Sequence, residues 1–353
     1  MIPTNNLPSA VADFTDEDLT KPNTGLFDSE FFAISRHELI ADVAEQLLKP
    51  HTAERLKEVL KPLADQGFPT SLADLAGWAD LTKHRGPKPD DDVDTKAFLE
   101  DPANARRDIW HYVNLPLGAK GYNRELYPTP LTDPEDVVQI ATEAVRVLKG
   151  ASQRFTKIIA MRLVVHLIGD LHQPIHVGCG YVDESGEAPR LVSDPKIILQ
   201  NGFRDDRGGN DIILPVGANG ISLHQYWDSR LGGNNPDISD AVEGDAIEFS
   251  PELKKAFSNK LLRMIEADPV SPAPVAEADA APVEDWILEW TNDSLAAARK
   301  AYQSIVITGP NGNAFDVSWE GKTKYDDRCK PIVLNRMKSA ARNLAALLDA
   351  IYV

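Results

Sequence analysis

Residues 166–176 read HLIGDLHQPIH, three histidines and an aspartate in one short segment. The residues just before it, IIAMRLVV (158–165), are almost wholly apolar, as in a helix buried on every side. The whole chain has only eight histidines. On a helix, residues i and i+4 share a face. His166 and Asp170 have that spacing, and so do His224 and Asp228 in ISLHQYWDSRL (221–231). A histidine nitrogen and a carboxylate oxygen side by side can both reach one metal at about 2.0–2.2 Å. His176 follows Pro174, where the helix is expected to end, so it can turn toward a neighbouring site. His172, two residues after Asp170, should point elsewhere.

One His-x3-Asp pair is more often a hydrogen-bonded or surface pair than a metal site. Two pairs with a trailing histidine, one of them in a strongly apolar helix, resist that reading. Burying several ionisable groups is costly unless they are paired or bound to a metal. Asp80 in LAGWADLTKHRG and His111 in DIWHYVN gain meaning only beside these residues. Alone, they would be a helix-surface acid and a half-buried polar ring.

Composition sets limits around this centre. The chain of 353 residues is 42% hydrophobic and 26% charged, the profile of a soluble globular protein. It lacks the roughly 18 uninterrupted apolar residues of a membrane span. Its start, MIPTNNLPSAVADF, shows no basic stretch followed by an apolar core, so no signal peptide is visible there. The net charge of −17 argues against a broad basic surface for duplex DNA. A phosphate-handling site whose positive charge comes from metal ions stays open. Cys179 and Cys329 are either one disulfide or two unpaired buried thiols.

The pattern predicts a mostly α-helical chain with short irregular strand pieces. Residues 1–31 read as an irregular arm, and 32–353 as one domain containing a mobile Pro/Ala/acidic linker at 267–285. Helical periodicity covers 37–48 and 53–64, and also PEDVVQIATEAVRVLKG (134–150), opened by Asp133-Pro134 and closed by Gly150. The buried helix follows, then ISLHQYWDSRL, and two closing helices at 287–305 and 332–352. KIILQ (196–200) and DIILPV (211–216) read as strand-like.

The ordered set HELIADVA, GWAD, WHYVN, HLIGDLHQPIHVG, GGND and LHQYWD resembles the S1/P1 nuclease family over roughly residues 32 to 353. The closing RNLAALLDAIY is similar as well. The resemblance implies a mostly helical enzyme of the phospholipase C/P1 nuclease fold with a zinc cluster. Such enzymes cleave single-stranded DNA and RNA to 5′-phosphate products, and many remove 3′-phosphates from nucleotides. It implies one zinc on Asp80, His111, His166 and Asp170, and a second on His176, His224 and Asp228. A third would use His37, share Asp170, and be completed by an N-terminal tryptophan. Two or three zinc ions, a monomer, no membrane, and a secreted or periplasmic setting follow as expectations.

Three positions depart from the family pattern. Phe32, preceded by 31 residues, stands where the terminal tryptophan would be, so its nitrogen is an amide unless the chain is processed there. Asn114 replaces an aspartate and can hydrogen-bond but not act as a base. Lys83 replaces an arginine, keeping the charge without the bidentate fork, with Arg85 as a nearby substitute. Lys83 and Asn114 are the expected catalytic residues beyond the ligands, and Tyr112 is an expected base platform, with core packing as the alternative. The rivals are a zinc-dependent phospholipase C, whose matching helix usually ends in glutamate rather than Asp228, and a non-catalytic zinc-stabilised binding protein.

Overall fold

The computed structural model describes residues 36–217, 219–231, 251–268 and 282–352. The arm at 1–31, Phe32 and residues 269–281 of the expected linker lie outside them. The first helices are α1 (Arg36–Leu47), α2 (Pro50–Ala64), α3 (Leu72–Ala76), α4 (Trp78–Thr82), α5 (Val93–Glu100) and α6 (Val137–Leu148). They are followed by α7 (Lys157–His172), α8 (Pro195–Asn201), α9 (Leu223–Gln225), α10 (Pro251–Glu266), α11 (Val283–Tyr302) and α12 (Lys322–Ile351). The described chain is predominantly helical with minor strand pieces, as its periodicity predicts.

Helix α7 is the axis. Thr156 caps its start by accepting the Ile159 N–H, and every residue from Ile158 to His172 is buried. It packs against α6, α12, α3 and α11. Gln173 leaves helical geometry (ψ 114°), as a residue before proline does. One apolar core surrounds α6 and α7 and includes Leu63, Leu75, Trp110, Leu167 and Leu347. A second core joins Tyr226, Trp227, Leu261, Phe315 and Tyr325, and takes in Ile175 just past the end of α7. The histidine-rich segment thus runs from one core into the other.

Strand pairing brings distant segments to this seam. β1 (Leu115–Pro116) runs parallel to β2 (Gly178–Cys179), with Leu115 opposite Gly178. The Val113 N–H also donates to the His176 carbonyl at 2.8 Å. This zipper sets the His111 segment beside His176. A second sheet orders β4 (Arg190–Val192), β3 (Tyr181–Asp183) and β5 (Arg204–Asp205). A third orders β7 (Ile221–Ser222), β6 (Ile212–Leu214), β9 (Ala314–Ser318) and β8 (Val306–Asn311).

Several local readings are corrected. KIILQ is not a strand but most of α8, capped by Asp194 and ended by Gly202 in left-handed geometry (φ 65°). The N-cap of α6 is Asp136, not Asp133. The hairpin β8–β9 occupies a stretch given no assignment from sequence, and turns at Gly312-Asn313. ISLHQYWDSRL begins as strand β7 and ends as a π turn, Tyr226–Arg230. Val283–Asp285, expected in the linker, form the first turn of α11. Of the two readings left open for Cys179 and Cys329, the unpaired one holds: both are free and buried.

A buried ion pair fastens α7 to the helices that deliver Asp80. Arg162 lies 2.9 Å from Asp92, donates to Thr95 Oγ1 at 2.8 Å and sits over the Trp78 ring. Asp92 is itself buried and caps α5. Arg162→Met would leave that carboxylate without its cation, so unfolding by urea should show a loss of about 3–5 kcal/mol. A loss below about 1 kcal/mol would mean that the pair does not hold α5 to α7.

Candidate metal centre

The side chains singled out in sequence converge at the end of α7. His111 Nδ1, His166 Nε2 and Asp170 Oδ2 are mutually 3.1 Å apart. Asp80 Oδ1 lies 3.5 Å from His111 Nδ1 and 3.7 Å from His166 Nε2. Four ligands about 2.0–2.2 Å from a tetrahedral ion stand about 3.3–3.6 Å from one another. These separations bracket that range, so the donors fit one small cation.

A second group lies beyond Pro174. His224 Nε2 is 3.0 Å from Asp228 Oδ2, and His176 Nε2 is 3.5 Å from Asp228 Oδ1. The His176 and His224 rings are parallel, 5.0 Å apart. The i, i+4 spacing of His224 and Asp228 keeps them on one side although the helix there is of π type.

Asp170 links the groups. Its other oxygen, Oδ1, is 3.0 Å from His176 Nδ1 and 3.5 Å from His37 Nε2. His37 stacks on His166 at 3.9 Å between ring centres. A His37 ring nitrogen also groups with an Asp80 oxygen and a His166 nitrogen, all within 4.8 Å. Both His176 nitrogens are buried beside carboxylates without the geometry of a hydrogen bond, which leaves the ring available to a cation.

Backbone carbonyls settle which nitrogen of two rings faces inward. His166 Nδ1 lies 2.6 Å from the Ala76 carbonyl, and His224 Nδ1 lies 2.9 Å from that of Gly208. A carbonyl only accepts, so each Nδ1 carries the proton and each Nε2 turns its lone pair to the site. The field there calls for positive charge. Burial opposes ionisation of Asp170, yet His166 and the close rings of His111 and His176 hold its carboxyl well below the usual range. Burial likewise opposes charge on His176, but Asp228 and Asp170 outweigh it and push that ring up to about 10. His37 goes the other way, to about 4, through burial and the neighbouring His166.

The remaining expected residues lie around this centre. Lys83 Nζ is 3.9 Å from Asp80 Oδ1. Tyr112 is partly exposed, at 37%. The half-buried Asn114 accepts the Tyr181 hydroxyl at its backbone carbonyl, 2.8 Å away. Arg85 is no substitute for a phosphate-binding arginine, because Asp91 already engages both ends of its guanidinium at 2.7 Å. His172 points away, as expected: its Nδ1 meets the Ile168 carbonyl at 2.7 Å and its Nε2 meets Asn343 at 2.8 Å.

Sequence reasoning missed three supports. Gln173 Nε2 donates to Asp228 Oδ1 at 2.7 Å, while its Oε1 accepts the Ile175 N–H. Its extended backbone before Pro174 was the signal. Gly208 has φ 62°, and a Cβ there would lie 2.8 Å from the Ile175 carbonyl. At Gly169 a Cβ would lie 2.5 Å from His37 Nδ1. Gly169→Ala should therefore keep α7, since alanine favours helix by about 1 kcal/mol. It should push the His37 ring off His166, read as a shifted His37 imidazole resonance in NMR spectra. An unmoved His37 resonance would contradict this packing.

The family model described as S1/P1 Nuclease matches residues 35–353. Nuclease S1 of Aspergillus oryzae is 27% identical over 192 residues, 54% of each chain, so the match spans about half of that relative. Endonuclease 4 of Arabidopsis thaliana is 24% identical over 90% of this chain and 87% of its own. Endonuclease 2 of the same plant is 24% identical over 90% and 89%. The family match runs through every segment that supplies a donor, and the chain belongs to the S1/P1 nuclease family.

Proposed function

We propose that this chain is a zinc-dependent phosphodiesterase that hydrolyses single-stranded DNA and RNA to 5′-phosphate products and removes 3′-phosphates from nucleotides. The observation that carries the reading is the set of four donors at tetrahedral spacing around Asp170. Imidazole and carboxylate donors with no thiolate among them suit zinc in a hydrolytic site. Asp80, His111, His166 and Asp170 would hold one ion, and His176, His224 and Asp228 a second. His37 offers a further donor toward Asp170 Oδ1, and its third-site partner Phe32 lies outside the described residues. Bound zinc supplies Lewis-acid activation of the phosphoester and of the attacking water.

The protein's own part is orientation and access. The donors are buried at the His166–Asp170 end and open at Asp80 and Asp228, whose side chains are 54% and 39% exposed. A phosphate approaches from that open side, where Lys83 adds positive charge next to Asp80. Tyr112, beside His111, offers a ring on which an unpaired base can stack, which favours flexible single strands over duplex. Asn114 can hydrogen-bond substrate or water but cannot take a proton.

The test is metal analysis beside hydrolysis assays on single-stranded DNA, duplex DNA and phosphatidylcholine. About two or three zinc ions per chain are expected, with single-stranded DNA cleaved in preference to the other two and activity lost on chelation. His166→Ala should lose zinc and reduce activity beyond the roughly 10–100-fold of an outer-shell change. His172→Ala should keep the zinc and most of the activity, and cost about 1–3 kcal/mol of stability through its lost hydrogen bonds. Protein that neither holds zinc nor responds to it overturns the reading, and preferred cleavage of phosphatidylcholine replaces it with a phospholipase.

A further inference from the structure

Behind the second donor group lies a buried acid with no place in the chemistry above. Asp206 is 0% exposed. Its Oδ1 accepts from the Cys179 thiol at 3.1 Å, the Gly209 N–H at 2.9 Å and the Tyr302 hydroxyl at 3.1 Å. Its backbone N–H donates to the Gly180 carbonyl, and its carbonyl accepts from Asp211 N–H. The carboxylate is packed so closely that a Cβ on Gly180 would lie 2.4 Å from its Oδ2. Burying such a group is costly, so what it holds in place matters.

What it holds is a strained loop. Arg207, Gly208 and Gly209 all have positive φ, at 56°, 62° and 84°. Arg207 is the only non-glycine residue with positive φ among the described residues. Positive φ costs about 1–3 kcal/mol at a residue such as Arg207, though not at the glycines, and persists only where its surroundings fix it. Asp206 fixes the Gly209 N–H, and the Cys179 sulfur accepts the Gly208 N–H at 3.3 Å. The outer side of the same loop grips His224 twice. The Gly208 carbonyl accepts from His224 Nδ1 at 2.9 Å, and the Gly209 carbonyl accepts from the His224 backbone N–H at 3.2 Å.

We propose that Asp206 is a positioning residue for the His176–His224–Asp228 group, holding the Gly208–Gly209 loop from behind so that His224 presents Nε2 to the ion. This rests on the zinc reading of that group. Asp206 touches neither substrate nor donor and acts only through the loop. A filler of the core would affect stability alone, whereas a positioning residue affects one class of metal site and leaves the other unchanged.

The experiment is zinc titration against a competing chelator, with the wild-type chain, Asp206→Ala and Asp206→Asn measured side by side. Asp206→Ala should weaken one class of zinc site by about 10–100-fold, the size of an outer-shell loss, and leave the other class within about twofold. Asp206→Asn keeps an oxygen for the three donors and should restore binding to within a few-fold of wild type. Equal zinc affinities in Asp206→Ala and wild type overturn the proposal, as does a uniform loss across both classes. Should Asp206→Ala not fold, Cys179→Ala decides the matter. It removes the acceptor of the Gly208 N–H and a donor to Asp206, and unchanged affinity there overturns the proposal. Wild-type protein without zinc sites would instead refute the metal reading itself.

Discussion

The Asp170 carboxylate sits on a helix with no exposed face, where an isolated charge costs several kcal/mol. Only positive charge meeting both of its oxygens can offset that. The structure brings His111 and His166 to one oxygen, and His37 and His176 to the other. Much of the architecture follows from this demand. Helix α7 must be apolar all round to sit in the core, yet its last turn must carry ionisable groups to the junction of two cores. The Pro174 break then sends His176 into a different group from His166.

Positioning around Asp170 depends on small residues and backbone carbonyls more than on the donors themselves. Gly169 leaves room for the His37 ring, and Gly208 lets a backbone carbonyl approach His224. The Ala76 carbonyl fixes His166 from the last residue of α3, two residues before the helix that supplies Asp80 begins at Trp78. Arg162 and Asp92 tie the same region to α7 from the other side. His166, His224 and Asp228 are each held by a group that is not itself a donor, which is what keeps a metal site rigid.

The parts legible in sequence were those carried by local periodicity. His166 and Asp170 share a face because the helix repeat puts them there, and His172 faces away for the same reason. Pro174 announced the turn that frees His176. What local patterns could not carry were contacts between distant segments. The pairing of β1 with β2 joins residues over 60 positions apart, and nothing in LPLG marks it. KIILQ misled because a short apolar run fits strand and helix alike, while Asp194-Pro195 and Gly202 were caps at either end. Gly312-Asn313, a pair that favours a two-residue hairpin turn, stands in a stretch to which the sequence reading gave no element. Arg85 looked available until Asp91 was found on its guanidinium.

The most direct measurement is an anomalous-scattering map at the zinc edge from crystals grown with zinc. The account predicts a peak bonded to Asp170 Oδ2, His111 Nδ1, His166 Nε2 and Asp80, and a separate peak among His176, His224 and Asp228. No peak beside Asp170, with zinc bound only elsewhere on the surface, would contradict it.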